Sequence, residues 1–447
     1  MNLGSAVLKT KTSVGEITDW QAVEVRLWLI LALAALAVAG ALALGLALAR
    51  TPGIQDWLPS GPAFFHKALV THVVFSFQVW LLALAGAISA LVSTTRWPGL
   101  IGLGFSLTGC VALLVVTLAG WGEASLNNYV PVLDHPLYLA GLATIAAGIA
   151  VAVARPLIDW RSWSLGPVHW GAAMMAVAFF VALGCFASAA IRLPGQSDGA
   201  FALERLFWGG GHVLQFVNTA LVMLGWLALV ERIGPQEQPP RLAKAAFALL
   251  ALGACGAVII EIRFDPAGLA WRQAYTQMLW YFLPLPPLVL GAELAWRCRG
   301  QVRLSSVAGL SLTSSLAVFA LGGGAGFALG VADTRTPSHY HAMIGGVNLA
   351  LMGVILAIML PSLDRPARPR PALWSLALYG GGQVLHALGF YLAGLAGIAR
   401  KTAGAEQGLD DVFKLASMGL VGLGGAIAVL GGVLFVVHVL TRLVRHD

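Results

Sequence analysis

Charged residues are scarce in this chain: Asp, Glu, Lys and Arg make up only 11% of its 447 residues. Apolar residues account for 58%, and the mean hydropathy is +0.82. A typical soluble domain carries about a quarter of its residues as charged side chains. The shortage of charge therefore excludes a soluble multidomain protein and predicts a polytopic membrane protein.

Cysteines are few, and no two of them show a paired spacing. Cys110, Cys185 and Cys255 fall inside apolar runs, and Cys298 lies in a predicted inner loop. This pattern excludes a disulfide framework, a zinc motif and a Cys-x-x-Cys-His haem attachment site. The chain also lacks basic patches interleaved with aromatic residues, so nucleic acid is not an expected partner. Its net charge of +7 indicates membrane topology and contact with anionic lipid headgroups.

Long apolar runs are abundant instead, and twelve of them reach the roughly 20 helical residues that a bilayer core requires. They lie near 26–49, 68–94, 98–120, 131–154, 167–191, 205–230, 243–262, 271–296, 304–331, 338–361, 373–397 and 413–441. We therefore predict an all-α polytopic membrane protein with a twelve-helix membrane domain over 26–441. The segments 1–25 and 442–447 are predicted to be cytoplasmic. Pro284-Leu285-Pro286-Pro287 predicts a kink or break in the eighth helix.

The distribution of Lys and Arg predicts the orientation of the chain. With the N-terminus inside, inner loops and tails hold 17 of the 27 Lys and Arg residues, as the positive-inside rule expects. Glu16, Asp19 and Glu24 precede the first run, which is not the layout of a cleaved signal peptide. We expect both termini to be cytoplasmic.

Histidines form the most informative pattern. His339 and His341 are two positions apart near the start of an apolar helix, so their side chains point about 200° apart and face opposite sides. His72 and His212 lie near the same predicted membrane depth. Because an intramembrane histidine is costly unless it is hydrogen-bonded or ligates a metal, four in one layer predict metal or haem ligation. His386 lies midway along an apolar run and is interpreted as a packed, hydrogen-bonded side chain.

With these motifs, the whole chain resembles the catalytic subunit of the haem–copper oxidase superfamily, in particular its cbb3-type and nitric oxide reductase-like branches. The resemblance is carried by the twelve runs, a histidine at the head of run two, Trp208-x-x-x-His212 in run six and His339-x-His341 at the head of run ten. A basic segment, Gly397-Ile398-Ala399-Arg400-Lys401, is similar to the family's sequence near the haem propionates.

The resemblance implies a role for each of these residues. His72 and His341 would be the axial ligands of a low-spin haem, and His339 would be the proximal ligand of a high-spin haem. His212 would ligate a non-haem metal, iron or copper, on the open side of the second haem. Arg400 and Lys401 would lie near the propionates, although a solvated basic pair explains them equally well. The resemblance implies two haems of b type and a bacterial inner membrane.

The chain departs from the family pattern at the non-haem metal. The family places a pair of adjacent histidines just after run seven, but this chain has no histidine between His212 and His339. Glu261 lies at the corresponding place and could supply a carboxylate ligand suited to iron. An interfacial charge cluster with Arg263 and Asp265 is the other interpretation of Glu261, and both stay open.

Run seven also lacks the tyrosine that cbb3-type oxygen reductases use, and Tyr275 in run eight is better explained by packing. These absences mildly favour nitric oxide over oxygen as the gas reduced, with His339, His212 and Glu261 as the catalytic residues. The chain has no haem c site, so a cytochrome c-type subunit or a quinol would supply the electrons. The alternatives are a non-catalytic dihaem cytochrome for electron transfer or gas sensing, and a haem-free transporter or structural subunit.

Overall fold

A computed structural model of the protein describes residues 17–54, 62–193, 199–234, 239–330 and 332–444. Within these ranges, eleven helices are long and apolar enough to span a membrane. The run predicted at 373–397 is also helical, over Pro369–Leu395, although it is not among the eleven. The glycines and the polar residues Gln383 and His386 lower the mean hydropathy of this helix. The predicted all-α membrane bundle is confirmed, and the chain is an integral membrane protein.

The elements follow the predicted runs closely. In chain order they are α1 Asp19–Leu48, α2 Pro62–Val73, α3 Trp80–Val92, α4 Trp97–Leu118, β1 Glu123–Ser125, β2 Val132–Asp134, α5 Pro136–Val153, α6 Arg155–Ile158, α7 Pro167–Arg192, α8 Gly199–Ile233, α9 Ala243–Arg263, α10 Leu269–Phe282, α11 Leu285–Cys298, α12 Val307–Gly326, α13 Arg335–Val354, α14 Leu360–Ser362, α15 Pro369–Leu395 and α16 Val412–Val444. The bundle encloses a single large apolar core.

The first helix begins seven residues before the apolar run predicted at 26–49. Thr18 and Gln21 form a capping box that satisfies the first backbone N–H groups, so the helix extends to Asp19 outside the apolar run. The last helix likewise continues past 441 to Val444. Lys9, Lys11 and Arg445, which contributed to the predicted orientation, lie outside the described residues.

Three of the long helices are irregular. The proline cluster divides the eighth span into α10 and α11, which confirms the break expected there. A π-helical turn at Val74–Val79 joins α2 to α3, and another at Ile355–Met359 joins α13 to α14. Such turns often occur at functional sites. Here they interrupt the two helices that carry His72 and the His339/His341 pair.

Small residues bring α15 and α16 into close contact. A side chain added at Gly382 would collide with the backbone of Ala428, and one at Gly424 would collide with the backbone of His386. Membrane helices pack in this way because lipid provides no hydrophobic drive between them, so close backbone approach supplies the attraction. The contact fixes the position of His386 against α16.

A buried ion pair joins the first turns of α1 to the short helix α6. Nη2 of Arg155 lies 2.6 Å from Oε1 of Glu24, and Nη1 lies 3.0 Å from Oε2. Both side chains are at most 1% exposed. The Arg155 guanidinium also donates to the carbonyl of Thr95, and the indole of Trp28 donates to Glu24. This bidentate pair ties the first helix to the segments that follow α3 and α5.

Candidate functional site

Four histidines near one end of the bundle share a hydrogen-bonding arrangement. In each, the ring nitrogen Nδ1 lies within hydrogen-bonding distance of a backbone carbonyl oxygen. The pairs are His72 with Ala39 at 2.9 Å, His212 with Trp208 at 2.7 Å, His339 with Gly322 at 2.7 Å and His386 with Val421 at 2.7 Å. A carbonyl can only accept, so Nδ1 carries the hydrogen and the neutral ring keeps its lone pair on Nε2. This is the usual preparation of a histidine that ligates a metal or haem through Nε2.

His341 belongs to a compact cluster of rings between α13 and α15. Its ring centroid lies 4.6 Å from that of His386, with the planes at 83°. The ring of Phe390 stacks on His341 at 5.4 Å and 22°. His72 and Arg50 are close enough to act electrostatically on His341. The structure therefore brings together His72 and His341, which the family resemblance pairs on one haem, and adds His386, which the sequence interpretation treated as a packed, hydrogen-bonded side chain.

Arg50, just beyond the end of α1, is a functional candidate that sequence reasoning missed. Its guanidinium lies 5.0 Å from the ring centroid of Phe65 and 5.6 Å from that of Phe390, and its Nε donates to the carbonyl of Thr402. Among the described residues, no carboxylate lies within ion-pair distance of it. A cation in this position, beside His72 and His341, suits a haem propionate.

The basic segment between α15 and α16 reaches the same region. The backbone of Arg400 donates to the carbonyl of Ala332, in the connection that precedes α13. Lys401, in a left-handed backbone conformation with φ of 65°, donates through Nζ to the carbonyl of Leu126. Burial, together with the nearby charge of Arg400, lowers the pKa of the Lys401 ammonium to about 8. An anion beside Lys401 would stabilise its charged ammonium form.

Asp333 fixes the start of α13 and with it the position of the two histidines. Its carboxylate accepts from the backbone N–H of Arg335 at 2.9 Å and from the Arg335 guanidinium at 2.7 Å. The Arg335 hydrogen bonds hold the pKa of Asp333 below its usual value. Asp333 also pairs through its backbone with Ala399, beside the basic segment. The helix with His339 and His341 therefore starts at a fixed point next to Arg400.

His212 lies in a cage of three aromatic rings. The ring centroids of Tyr129, Trp208 and Tyr275 are 4.2, 4.6 and 5.6 Å from that of His212. The side chain is 1% exposed. The cage explains the glycine run before His212, because a Cβ at Gly209 would lie 2.9 Å from the ring of Tyr275 and one at Gly211 would lie 2.6 Å from Tyr129.

The hairpin of β1 and β2 covers one side of the cage. Tyr129 occupies the tip of this hairpin, and its carbonyl accepts from Nε2 of Gln78 at 3.1 Å. The carbonyl of Leu126, three residues earlier, is the acceptor for Lys401. The hairpin tip thus contacts the helix of His72, the ring of His212 and the basic segment together. The sequence of this short loop gives no indication that it contacts three separate parts of the protein.

Glu261 is held by side chains of α7 and α10. Its Oε2 accepts from Ser188 at 2.6 Å and lies 3.2 Å from Nη1 of Arg192, while Oε1 accepts from Tyr275 at 2.6 Å and from Trp271 at 3.1 Å. The expected cluster with Arg263 and Asp265 is replaced by the ion pair with Arg192. Tyr275, interpreted from sequence as packing, connects the carboxylate to the His212 cage.

An apolar groove of about 580 Å³ leads from the side of the bundle to Glu261. It lies between α7 and α9, and it is lined by Val177, Phe180, Gly184, Cys185, Val258 and Ile262 among others. The hydroxyl of Tyr275 lies 3.2 Å from Sγ of Cys185, at the wall of this groove. A small apolar molecule in the membrane could therefore approach the Glu261–Tyr275 pair without crossing a polar layer.

The residues fit haem ligation better than a separate non-haem metal. His72 and His339 have free Nε2 lone pairs, and Arg50 offers a cation to a propionate. His212 has the same lone pair, but the rings of Tyr129, Trp208 and Tyr275 surround it. Within the described ranges, no three His, Cys, Asp or Glu side chains are grouped as a metal ion requires. Glu261 reaches His212 only through Tyr275, so the structure does not bring these two predicted metal ligands into contact.

The comparisons with known proteins agree with this architecture. No protein-family model matches the chain. An uncharacterized protein of Rickettsia prowazekii (strain Madrid E) is 24% identical over 87% of this chain and 89% of its own length. An uncharacterized protein of Aquifex aeolicus (strain VF5) is 28% identical over 69% of this chain and 76% of its own length.

One solved structure, a dimeric heme-copper terminal oxidase studied by cryo-electron microscopy, superposes with a TM-score of 0.78. It is 15% identical to this chain and covers 96% of it, with 85% of the oxidase chain matched. The chain therefore has the membrane fold of a heme-copper terminal oxidase.

Proposed function

We propose that the protein is a membrane-bound respiratory oxidoreductase that reduces a small gas. The single observation that carries the proposal is the set of Nδ1 hydrogen bonds, which leaves Nε2 of His72, His212 and His339 free at one end of an oxidase-like bundle. His72 and His341 would hold a low-spin haem, and His339 would hold a high-spin haem. Bound there, the haems would supply electron transfer and a vacant iron position for the gas.

The residues of the chain would then supply protons and position. Tyr275 donates a 2.6 Å hydrogen bond to Glu261 beside His212. When Glu261 is protonated, its O–H would donate to the tyrosine oxygen instead, and the tyrosine would release its own proton into the cage as it takes the proton of the carboxyl. Arg192 and Ser188 hold Glu261 at the end of the apolar groove. Arg50, Arg400 and Lys401 would bind the propionates.

Nitric oxide is the gas that we favour. Its reduction takes two molecules of NO, two electrons and two protons to one N2O and one water, which a single carboxyl–tyrosine relay can serve. Oxygen takes four electrons and four protons to two waters, and it remains the competing substrate. A cytochrome c-type subunit or a quinol would be the electron donor. We place the protein in the bacterial inner membrane with both termini cytoplasmic.

A second function, a dihaem cytochrome that transfers electrons or senses a gas without turning it over, is favoured by one observation. In the described part of the chain, no three His, Cys, Asp or Glu side chains are grouped around His212 as a metal ion requires. The two functions share the haem ligands and differ only at the His212 cage. They are therefore separable by measuring turnover in protein that has been shown to carry both haems.

The experiment combines spectra with gas consumption. The protein purified in detergent, and variants H72F, H339F and H169F, would be examined by reduced-minus-oxidised spectroscopy and by NO and O2 electrodes. We expect H72F to lose the low-spin signal and H339F the high-spin signal, while H169F, a control on another helix, keeps both. Two haems without consumption of either gas would favour the second function. Loss of both signals from H72F would contradict the assignment of separate haems.

A further inference from the structure

His341 differs from the other histidines of the site in one respect. Nδ1 of His72, His212, His339 and His386 is bonded to a backbone carbonyl, but His341 has no hydrogen bond within the described part of the chain. An axial histidine almost always donates its second ring N–H to an acceptor, which fixes the plane of the ring and strengthens the ligand. In the proposed function His341 is an axial ligand, so it needs such an acceptor.

Tyr340, whose ring centroid lies 5.1 Å from that of His341, is its neighbour on the same helix, where adjacent side chains do not face each other. Among the groups that face His341 from other helices, one is a suitable acceptor. Phe390 stacks on the ring and has no polar atom. The guanidinium of Arg50 can only donate. Nδ1 of His72 is already committed to Ala39, and its Nε2 would face the iron. His386 remains, with its ring centroid 4.6 Å from that of His341.

The state of His386 follows from its own hydrogen bond. Nδ1 lies 2.7 Å from the carbonyl oxygen of Val421, so this nitrogen carries the hydrogen and Nε2 keeps a lone pair. The side chain is 8% exposed. Its backbone is packed directly against Gly424 of α16 and its ring against Gly425, so the ring has little freedom to move. His386 is therefore a fixed, neutral acceptor next to His341.

We propose that His386 is a positioning residue of the low-spin haem: its Nε2 accepts a hydrogen bond from Nδ1–H of His341 when Nε2 of His341 binds the iron. The inference rests on the proposed function, because it assumes that His341 is an axial ligand. A chain of hydrogen bonds then runs from the carbonyl of Val421 on α16 through His386 on α15 to His341 on α13. A hydrogen bond of this kind makes His341 a stronger electron donor, which favours the ferric state and lowers the midpoint potential.

The test compares purified full-length variants in which the acceptor is removed or replaced. H386F removes it, H386L is a second apolar variant for use if H386F does not accumulate, and H386Q restores an acceptor through its amide oxygen. F390L is the matched control, since it removes the other ring against His341 without removing an acceptor. The readouts are haem per chain, the ferric low-spin electron paramagnetic resonance signal and the midpoint potential of the low-spin haem.

We expect H386F to retain the low-spin haem with a midpoint potential shifted to more positive values and a displaced ferric signal. H386Q should restore the potential most of the way to the wild-type value, and F390L should leave the potential unchanged. A potential in H386F and H386L equal to that of the wild type would overturn the inference. Loss of the low-spin signal in H386F, together with its retention in a further variant, H341F, would also overturn the inference. His386 would then be the ligand itself. A wild-type protein without haem would instead refute the proposed function.

Discussion

The hydroxyl of Tyr275 donates a hydrogen bond of 2.6 Å to Oε1 of Glu261 while its ring lies 5.6 Å from that of His212. The two residues come from α10 and α9, on either side of a short connection. They join the carboxylate at the apolar groove to the aromatic cage. If the proposed function is correct, this pair is the source of protons for gas reduction.

Removing the Tyr275 hydroxyl should therefore slow turnover without removing haem. We expect Y275F to reduce gas consumption by about 100-fold, the usual contribution of a positioned proton donor. E261Q should have a similar effect. The matched control is Y281F, since Tyr281 lies on the same helix and is 74% exposed. Turnover and haem spectra would be measured on the same samples, and full activity in Y275F would exclude the relay.

Arg50 should contribute to haem affinity. A charge-assisted hydrogen bond contributes about 1.5–3 kcal/mol, so loss of the cation in R50M should weaken haem binding by roughly 10- to 100-fold. R50K should be less affected because it keeps the charge. R161M, which removes the cation over the ring of Trp160 elsewhere in the protein, is the control. Haem titration into the haem-free variants gives the affinities, and equal affinity in wild type and R50M would remove Arg50 from the site.

Lys401 should make the stability of the haem-free protein depend on pH. Burial holds its pKa at about 8 in the folded state, below the value of about 10.4 in an unfolded chain. Between these values the unfolded chain binds more protons, so stability should rise as pH increases from about 8 to about 10.4. Thermal unfolding of wild type and K401M across this range would show the rise in the wild type only.

Binding of haem provides the check on that assignment. A propionate beside Lys401 would stabilise its ammonium and raise the pKa toward the unfolded value, so the rise in stability should diminish in the haem-loaded protein. If the rise is the same with and without haem, Lys401 does not contact a propionate.

The ion pair of Glu24 and Arg155 should be important for folding. Both side chains are at most 1% exposed, and removing one member of a buried pair typically costs about 3–5 kcal/mol. We therefore expect E24L to unfold at a much lower denaturant concentration than the wild type. The double variant E24L/R155M should recover most of the loss, because no unpaired charge remains. D410N, which breaks an exposed pair with Lys414, should change little.

Much of the fold was predictable because each span carries its own local signal. A run of apolar residues requires a bilayer-length helix, and the proline cluster at 284–287 required a break, which the structure places between Phe282 and Leu285. The spacing of His339 and His341, two positions apart, also fixes their opposite directions without any knowledge of neighbouring helices. Helix Pro369–Leu395 was found by the same local criterion despite its polar residues.

The partners of the site residues were less predictable, because contacts between helices are not encoded in any local pattern. One of the two interpretations of Glu261 placed it in a charge cluster with Arg263 and Asp265, its neighbours in sequence, but it is paired with Arg192 of α7. Tyr275 looked like a packing residue, and no sequence pattern singled out Arg50. His386 was correctly interpreted as hydrogen-bonded, yet its contact with His341 depends on how α13 and α15 pack.

The central claim is that this bundle binds two haems, and haem quantification of the purified wild-type protein tests it most directly. Protein produced in haem-replete cells would be assayed for haem per chain by the pyridine haemochrome method, together with its reduced-minus-oxidised spectrum. The account predicts two haems of b type per chain. A protein that is folded and carries no haem would contradict it.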